Sequence, residues 1–559
     1  MIVQLIGTLA LAYLGWSIVT LEINYRRAAT MGIPCVRLIV DPQNLAWMML
    51  ESHVWRILDR LPIDWGTFGK YARRERHFAD KASSHLRYGP AWALRRFDFQ
   101  RPSKIYKVLD LYGPCISSAS YEDWPRHRKV LASPFNEGIM TFVWNESVGQ
   151  AHQMLHAWTG LSTKYIASVA KDTRTLSLNV LASTGFRKSY KFYSANYDTD
   201  SNGDATVTHS NEAQGYRDAL QTVLDNCILL MVMPQRVLRL PFAPASWRHV
   251  ARAAAAFKEY MAQMLDDEVG ALDKDAAGSG GLMSSFVRAM EQKQEQSVSG
   301  EAARAPAGLT LDEIFGNIFV INFAGHDTTA NTLAFIILLL AACPDVQDWV
   351  SEELRAILPV DGKGEYKEIF PKLKRCRAVM FETLRLYPPI MSIPKWTNEY
   401  PQSVKIGNRT IVIPPNTGVM PSILAIQTHP DIWPDPLTWN PSRWITSPTI
   451  AAAEASGGDG ELATELEREV FYTPPRSTHL PWSDGPHNCP GSKFSQVECV
   501  AVLACLLRNH HISAVPSPGE SCFEDTRARI LATVDDVDQQ ILLIMKHADR
   551  VRLVCSRAD

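Results

Sequence analysis

The sequence predicts a mainly helical fold with small β-sheets, preceded by an apolar N-terminal helix. Three observations predict it. Apolar residues recur at helical spacing over long stretches, short β-like runs are confined to 403–414 and the C-terminal end, and residues 1–21 carry no charge. The 559 residues are 46% hydrophobic and 21% charged, which is ordinary globular composition. A formal net charge of −2 gives no basis for a nucleic-acid partner.

The elements follow in chain order. About 20 apolar residues span a bilayer core as a helix, and Met1–Leu21 has that length and character. Glu22, Arg26 and Arg27 close the run. A cleaved signal would carry its basic residues before the apolar stretch. Here they come after it, so a retained anchor is expected, with the rest of the chain on the cytosolic side. Gly32-Ile33-Pro34 breaks the helix. Residues 45–58 (LAWMMLESHVWRIL) form an amphipathic pattern suited either to a membrane surface or to packing on the main domain. The expected organisation is an anchor at 1–21, a linker with this surface helix at 22–60, and a catalytic domain at 61–559 without an internal break.

Within that domain, helices are expected at 121–133, 144–171, 211–230, 246–270, 310–342, 344–358, 366–387 and 492–508. Polar stretches at 196–210, 272–308 and 447–468 read as surface loops. The ten cysteines are scattered and form no Cys-x-x-Cys pair, which argues against structural zinc and for reduced thiols.

Four clusters carry chemistry. In Trp482-Ser-Asp-Gly-Pro-His-Asn-Cys-Pro-Gly491, a thiol sits between two glycines and two prolines, just ahead of the helix at 492–508. Gly485 and Gly491 are expected to permit tight turns that bring amide N–H groups near the Cys489 sulfur. The helix N-terminus would point positive charge at the same atom. In Ala324-Gly-His-Asp-Thr-Thr329, polar groups interrupt an apolar helix. Charged groups at mid-span are costly in lipid, so this is expected to be a core helix. Gly325 would leave room for a diatomic ligand, and Asp327 beside Thr328 offers an acid and an alcohol able to organise water and pass protons. Glu382 and Arg385 share a helix face at i, i+3. Trp124 and Arg128 lie one turn apart on a basic segment.

These clusters, in this order, resemble the cytochrome P450 family. The haem loop there reads Phe-x-x-Gly-x-Arg-x-Cys-x-Gly; here Trp482 stands for Phe and His487 for Arg, while Gly485, Cys489 and Gly491 match. The resemblance implies haem b ligated by the Cys489 thiolate, with Trp482 as an aromatic wall. His487 would pair with a propionate only while protonated, so its contribution would weaken as pH rises. Trp124, Arg128 and Lys395 are implied at the propionates, Ala324 at the haem face, and Asp327 and Thr328 in oxygen activation. Glu382, Arg385 and Arg443 are implied to form a structural network beneath the haem. The substrate pocket is expected at Phe323, Ile390, Met391 and Ser392, with the segment 114–118 closing one wall.

The implied reaction inserts one oxygen atom from O₂ into a lipophilic small molecule, and the spelling of the loop is most similar to filamentous-fungal members acting on natural-product intermediates. No Gly-x-Gly-x-x-Gly fingerprint is visible, so electrons are expected from a separate NADPH-cytochrome P450 reductase. Arg126, Lys129 and Lys493 would offer that partner a basic face. The implied location is the endoplasmic reticulum membrane, single-pass. A thiolate-haem isomerase or dehydratase, or a haem sensor, would have no use for the Asp327-Thr328 pair.

Overall fold

A computed structural model describes residues 2–33, 35–42, 44–73, 99, 101–160, 165–166, 168–187, 189–193, 211–272, 281–299, 307–359, 364–406, 408–446, 465–539 and 541–558. The expected loop at 196–210 and most of that at 447–468 lie outside the described residues. The chain divides into two compact units.

The smaller unit comprises residues 1–105, 390–437 and 538–541. It contains α1 (Ile2–Ala29) and α2 (Leu45–Leu58). Leu11, Trp16, Ile18 and Val19 are exposed on α1. On α2, Leu50 and Ile57 face outward while Trp55 is buried and stacks near Phe68. Strands β1 (Lys395–Trp396) and β4 (Gly418–Val419) pair antiparallel, with Lys395 opposite Val419. Between them, β2 (Gln402–Ile406) and β3 (Arg409–Ile413) form a hairpin.

The larger unit carries α3 (Trp124–Ala132), α4 (Glu137–Thr159), α5 (Val169–Phe186), α6 (Asn211–Asp225), α7 (Ala245–Leu272), α8 (Leu282–Ser299), α9 (Leu311–Gly325), α10 (Asp327–Ala342), α11 (Pro344–Ile357), α12 (Lys374–Leu386), α13 (Ser492–Leu507) and α14 (Phe523–Asp535). Strands are few. Antiparallel β5 (Ile445–Thr446) pairs with β6 (Val470–Phe471), and β7 (His510–Ala514) pairs with β8 (Leu553–Arg557).

Local chemistry sets the helix ends. The Asn136 side chain accepts from the Gly138 and Ile139 amides and starts α4. Thr310 and Glu313 bond reciprocally as a capping box at α9. The core centres on α10, whose residues from Thr332 to Ala342 are buried throughout. It packs against α5, and α13 packs against α4. A helix buried on every side needs no amphipathic pattern, which is why its sequence is uniformly apolar. Among the described residues, Leu311–Ala342 is the one helical stretch long and apolar enough to cross a membrane, and 72% of its apolar window is buried in protein, as a core helix requires.

Several expected boundaries move. The helix expected at 144–171 begins at Glu137 and ends at Thr159, and α5 follows as a separate helix. The loop expected at 272–308 contains α8, which buries Leu282, Met283, Phe286, Val287 and Ala289. The helix expected at 310–342 breaks at His326, and that at 366–387 splits into a short turn, Tyr366–Ile369, and α12.

Candidate active site

The thiol loop is folded tightly. The Cys489 amide donates to the Trp482 carbonyl at 2.9 Å, and the Asn488 amide to the Gly485 carbonyl at 3.1 Å. Gly485 has φ +79°, a conformation that favours glycine. Ser483 also takes a left-handed φ of +65°, which no sequence signal announced. Gly491 is different from expectation: its φ is −84°, available to any residue, and it stands at the N-cap of α13. Its amide serves the sulfur directly. Burial pushes the Cys489 thiol up, while the Gly491 N–H and the Arg128 charge pull it down. The cysteine nevertheless keeps an exposed face. The Trp482 indole donates to Ser495 Oγ at 2.9 Å and packs against Phe381, ring centres 5.3 Å apart.

Helix α3 grips this loop. The Trp124 ring lies 4.2 Å from the His487 ring. One turn further on, both terminal nitrogens of Arg128 donate to Asn488, one to its backbone oxygen and one to Oδ1, each at 2.8 Å. Arg126, expected on a reductase-facing surface, is instead committed to Glu313 at 2.6 and 2.8 Å, to Asp123 and to the Gly308 carbonyl. A guanidinium held by two carboxylates and a carbonyl is not an open docking charge, and that expectation is corrected. Lys129 and Lys493 remain exposed.

The polar interruption of the long apolar helix falls where α9 ends and α10 begins. In this helix pair, otherwise largely buried, Ala324 is exposed and Gly325 and Thr328 are half-buried. The Thr328 hydroxyl donates to the Ala324 carbonyl at 2.9 Å and keeps its lone pairs as acceptors. Asp327 is buried and bound by Arg174, Nε to Oδ1 at 2.6 Å and Nη2 to Oδ2 at 3.1 Å. Burial alone would raise this carboxyl, but His326 and Arg174 hold it below its usual range. His326 is wholly buried; its Nδ1 lies 2.7 Å from the Asn322 carbonyl and its Nε2 3.3 Å from Asp327 Oδ1. A carbonyl only accepts, so Nδ1 carries the proton. Burial pushes the imidazole down despite Asp327. Arg174, Asn322 and Tyr216, which donates to Asn322, were missed; nothing in their local sequence separates them from core-facing helix residues.

Gly325 also differs from expectation. A Cβ built on it would point toward Leu181 of α5, 3.0 Å from Cδ2. The missing side chain therefore serves helix packing, not space for a ligand.

Beneath the loop, Glu382 accepts from Arg385 at 2.8 and 2.9 Å, from Arg443 at 2.9 Å, from the Trp444 indole at 3.0 Å and from the Asn440 amide at 2.9 Å. Glu382 and Arg385 are fully buried. The structure thus brings Glu382, Arg385 and Arg443 together, with Trp444 as a fourth member the sequence did not single out.

Phe323 stacks on Phe319 at 5.9 Å in the larger unit. Ile390, Met391, Ser392 and Lys395 belong to the smaller unit, where Ser392 bridges Ser422 and the Met391 carbonyl accepts from Ile423. Lys395 is half-buried, and burial together with Arg101 pushes its ammonium down. The segment before Ser118 runs hard against α9: a Cβ on Gly316 would meet the Gly113 oxygen at 2.2 Å.

The family model for cytochrome P450 matches residues 99–532. The chain belongs to the cytochrome P450 family. Relatives include a cytochrome P450 monooxygenase of Arthrobotrys oligospora, 26% identical over 96% of this chain and 95% of its own. Another is the phomenoic acid biosynthesis cluster cytochrome P450 monooxygenase of Leptosphaeria maculans, 26% identical over 88% of this chain and 89% of its own. The crystal structure of the cytochrome P450DA haem domain superposes with a TM-score of 0.60 at 18% identity, covering 85% of this chain and 87% of that one, and shows the shared fold. This cytochrome P450 is accordingly an oxidoreductase of the monooxygenase class.

Family and fold imply a haem-thiolate cofactor. The residues present fit it. One exposed thiol is served by a backbone amide, a guanidinium, an imidazole and an indole gather at the same loop, and Ala324 leaves an uncovered place on a core helix.

Proposed function

We propose that this cytochrome P450 inserts one oxygen atom from O₂ into a lipophilic small molecule, a natural-product intermediate, with electrons from NADPH-cytochrome P450 reductase. The observation that carries the reading is Cys489, exposed at the N-cap end of α13 in a loop whose other side chains are gripped by α3 and α12. Haem b bound through this sulfur supplies the oxygen-activating chemistry. Gly491 N–H and Arg128 stabilise the thiolate; Trp124, Arg128, His487 and Lys395 are the candidates to hold the propionates; Trp482 walls the ring. Glu382, Arg385 and Arg443 keep the support beneath it rigid.

Thr328 and Asp327 deliver protons. Thr328 already spends its hydrogen on Ala324, so it acts by accepting from a water and returning a proton as its hydroxyl turns. Asp327 must first leave Arg174, because the ion pair keeps its carboxylate charged. Phe323, Ile390, Met391 and Ser392 are the proposed substrate contacts, apolar enough for a lipophilic ligand. The Leptosphaeria maculans relative is named for the phomenoic acid biosynthesis cluster, which supports a secondary-metabolite substrate. Residues 1–21 are the proposed single-pass anchor in the endoplasmic reticulum membrane, 22–60 the linker and surface helix, and 61–559 the catalytic domain facing the cytosol. The exposed apolar face of α1 supports the anchor.

The test is the reduced, CO-bound spectrum of purified protein, followed by turnover with and without NADPH and reductase in a host fed candidate metabolites. A thiolate-type band and reductase-dependent product are expected. Cys489→Ala protein that keeps its pigment, spectrum and turnover would sink the reading.

A further inference from the structure

We propose that Asn317 is a positioning residue for substrate recognition: its carboxamide, held in one orientation by His127, pins the backbone of the segment 112–118 against α9 as a fixed wall of the substrate pocket. The inference rests on the pocket proposed at Phe323 and concerns what sets its shape.

The contact begins with two glycines. Gly113 and Gly316 let the segment and α9 touch backbone to backbone, since a Cβ on Gly316 would meet the Gly113 oxygen at 2.2 Å. That approach brings Asn317, the next residue of α9, within reach of the segment. The Ile116 amide donates to Asn317 Oδ1 at 2.9 Å. An N–H only donates, so the atom facing Ile116 is the oxygen and the other terminal atom is the nitrogen. Nδ2 then spends one hydrogen on the Glu313 carbonyl at 2.6 Å and the other on His127 Nδ1 at 3.0 Å. His127 Nδ1 is therefore an acceptor, Nε2 carries the proton, and it faces Glu313 Oε1 at 3.4 Å. Asn317 and His127 are both buried. A flipped carboxamide would set donor against donor at Ile116 and acceptor against acceptor at the Glu313 carbonyl, and buried groups left unmatched in this way are costly.

The pinned segment reaches the pocket through aromatic rings. Tyr112 packs on Phe319, ring centres 5.3 Å apart, and Phe319 stacks on Phe323 at 5.9 Å. The Tyr112 hydroxyl donates to the Ala254 carbonyl of α7 at 2.9 Å, so the ring is held at its outer end too. Ser118 accepts from the Cys115 amide at 3.0 Å and donates to Asp110, which closes the segment on itself. A wall anchored before the ligand arrives binds a matching shape without an ordering cost; released from Asn317, it would have to be ordered by the ligand.

The experiment uses the full-length, haem-loaded protein and two readouts. Hydrogen–deuterium exchange follows peptides covering residues 110–120, with peptides of α13 as the control for global opening. Spectral titration compares 4-phenylimidazole with imidazole: both offer iron a nitrogen, but only the first carries a ring that must meet the pocket wall. Asn317→Leu should speed exchange at 110–120 about tenfold, as expected for one buried hydrogen bond lost, and leave α13 unchanged. It should also weaken 4-phenylimidazole about fivefold or more while imidazole binds as before. His127→Phe, which frees the carboxamide to turn, should move both readouts in the same direction. A merely structural role would speed exchange in both sets of peptides and leave the ratio of the two affinities alone, and either result overturns the proposal. So does rapid exchange at 110–120 in the wild-type protein, a reading that needs no variant to fold. Should Asn317→Leu not retain haem, His127→Phe carries the test, and wild-type exchange and affinities there overturn it equally. Failure of the haem-thiolate reading shows separately, as wild-type protein with no thiolate-type CO band and no spectral response to imidazole.

Discussion

Glu498 lies on α13, fully buried, and its carboxyl is pushed up to about 8 by burial, with Ser177 bonding as a weaker opposing influence. The folded protein therefore holds a proton that the unfolded chain releases above the ordinary glutamate value of 4.5. Stability should fall as pH rises from that value through about 8 and then level off, because over this window the native state binds more protons than the unfolded one. Glu498→Gln removes the titrating group and keeps the volume. It should flatten that part of the pH–stability profile and raise stability at pH 8 by a few kcal/mol, read from urea melts at several pH values. At the oxygen-activating break, Thr328→Ala should leave substrate binding intact and uncouple electron use from product, by about tenfold or more if it carries the proton step. Unchanged coupling, measured as product formed per NADPH consumed, would remove Thr328 from that role.

The two glycines of α9 make a contrast at the scale of elements. Gly316 crosses the backbone of residues 113–114, and an added Cβ would sit 2.2 and 2.5 Å from two carbonyl oxygens. Gly113 itself adopts φ +142°, and a Cβ there would sit 2.1 Å from the Asp312 carbonyl oxygen, so neither backbone at the crossing can retreat. Gly316→Ala should cost at least about 3 kcal/mol, the upper part of the overpacking range. Gly325 faces only the end of a leucine side chain, so Gly325→Ala should cost about 1 kcal/mol or less. Thermal unfolding of the two variants side by side checks the order; a Gly325→Ala protein less stable than Gly316→Ala would contradict it. Arg174 ties α5 to α10 through Asp327 and to α6 through Asp225. Periodicity could not find such a tie, because an arginine on a helix face is ordinarily solvated. Helices α5 and α8 escaped notice for a related reason. The first is buried on nearly all faces and mixes small polar with apolar residues, and the second is flanked by Gly- and Ala-rich polar stretches that blur its apolar stripe.

For the whole molecule, the Glu382 cluster is the test of rigidity. Five donors converge on one buried carboxylate, so removing it takes the Glu382 charge away from the fully buried Arg385 guanidinium. Glu382→Ala should cost about 3–5 kcal/mol and reduce haem retention, measured by denaturant melts and the pigment-to-protein ratio. A variant of wild-type stability would show the network to be dispensable.

The sequence alone determined the chemistry and most of the helices that carry it. A cysteine between glycines and prolines before a helix, a polar break in an apolar helix and a Glu-x-x-Arg turn are local patterns, and local patterns survive without the fold. Tertiary structure decided the partners: Arg128 with Asn488, Asp327 with Arg174, Arg126 with Glu313, Gly325 with Leu181. These pairs lie about 140 to 360 residues apart. A side chain's charge and shape are written in its codon, but which desolvated group it answers to is settled only when helices distant in the chain close on one core.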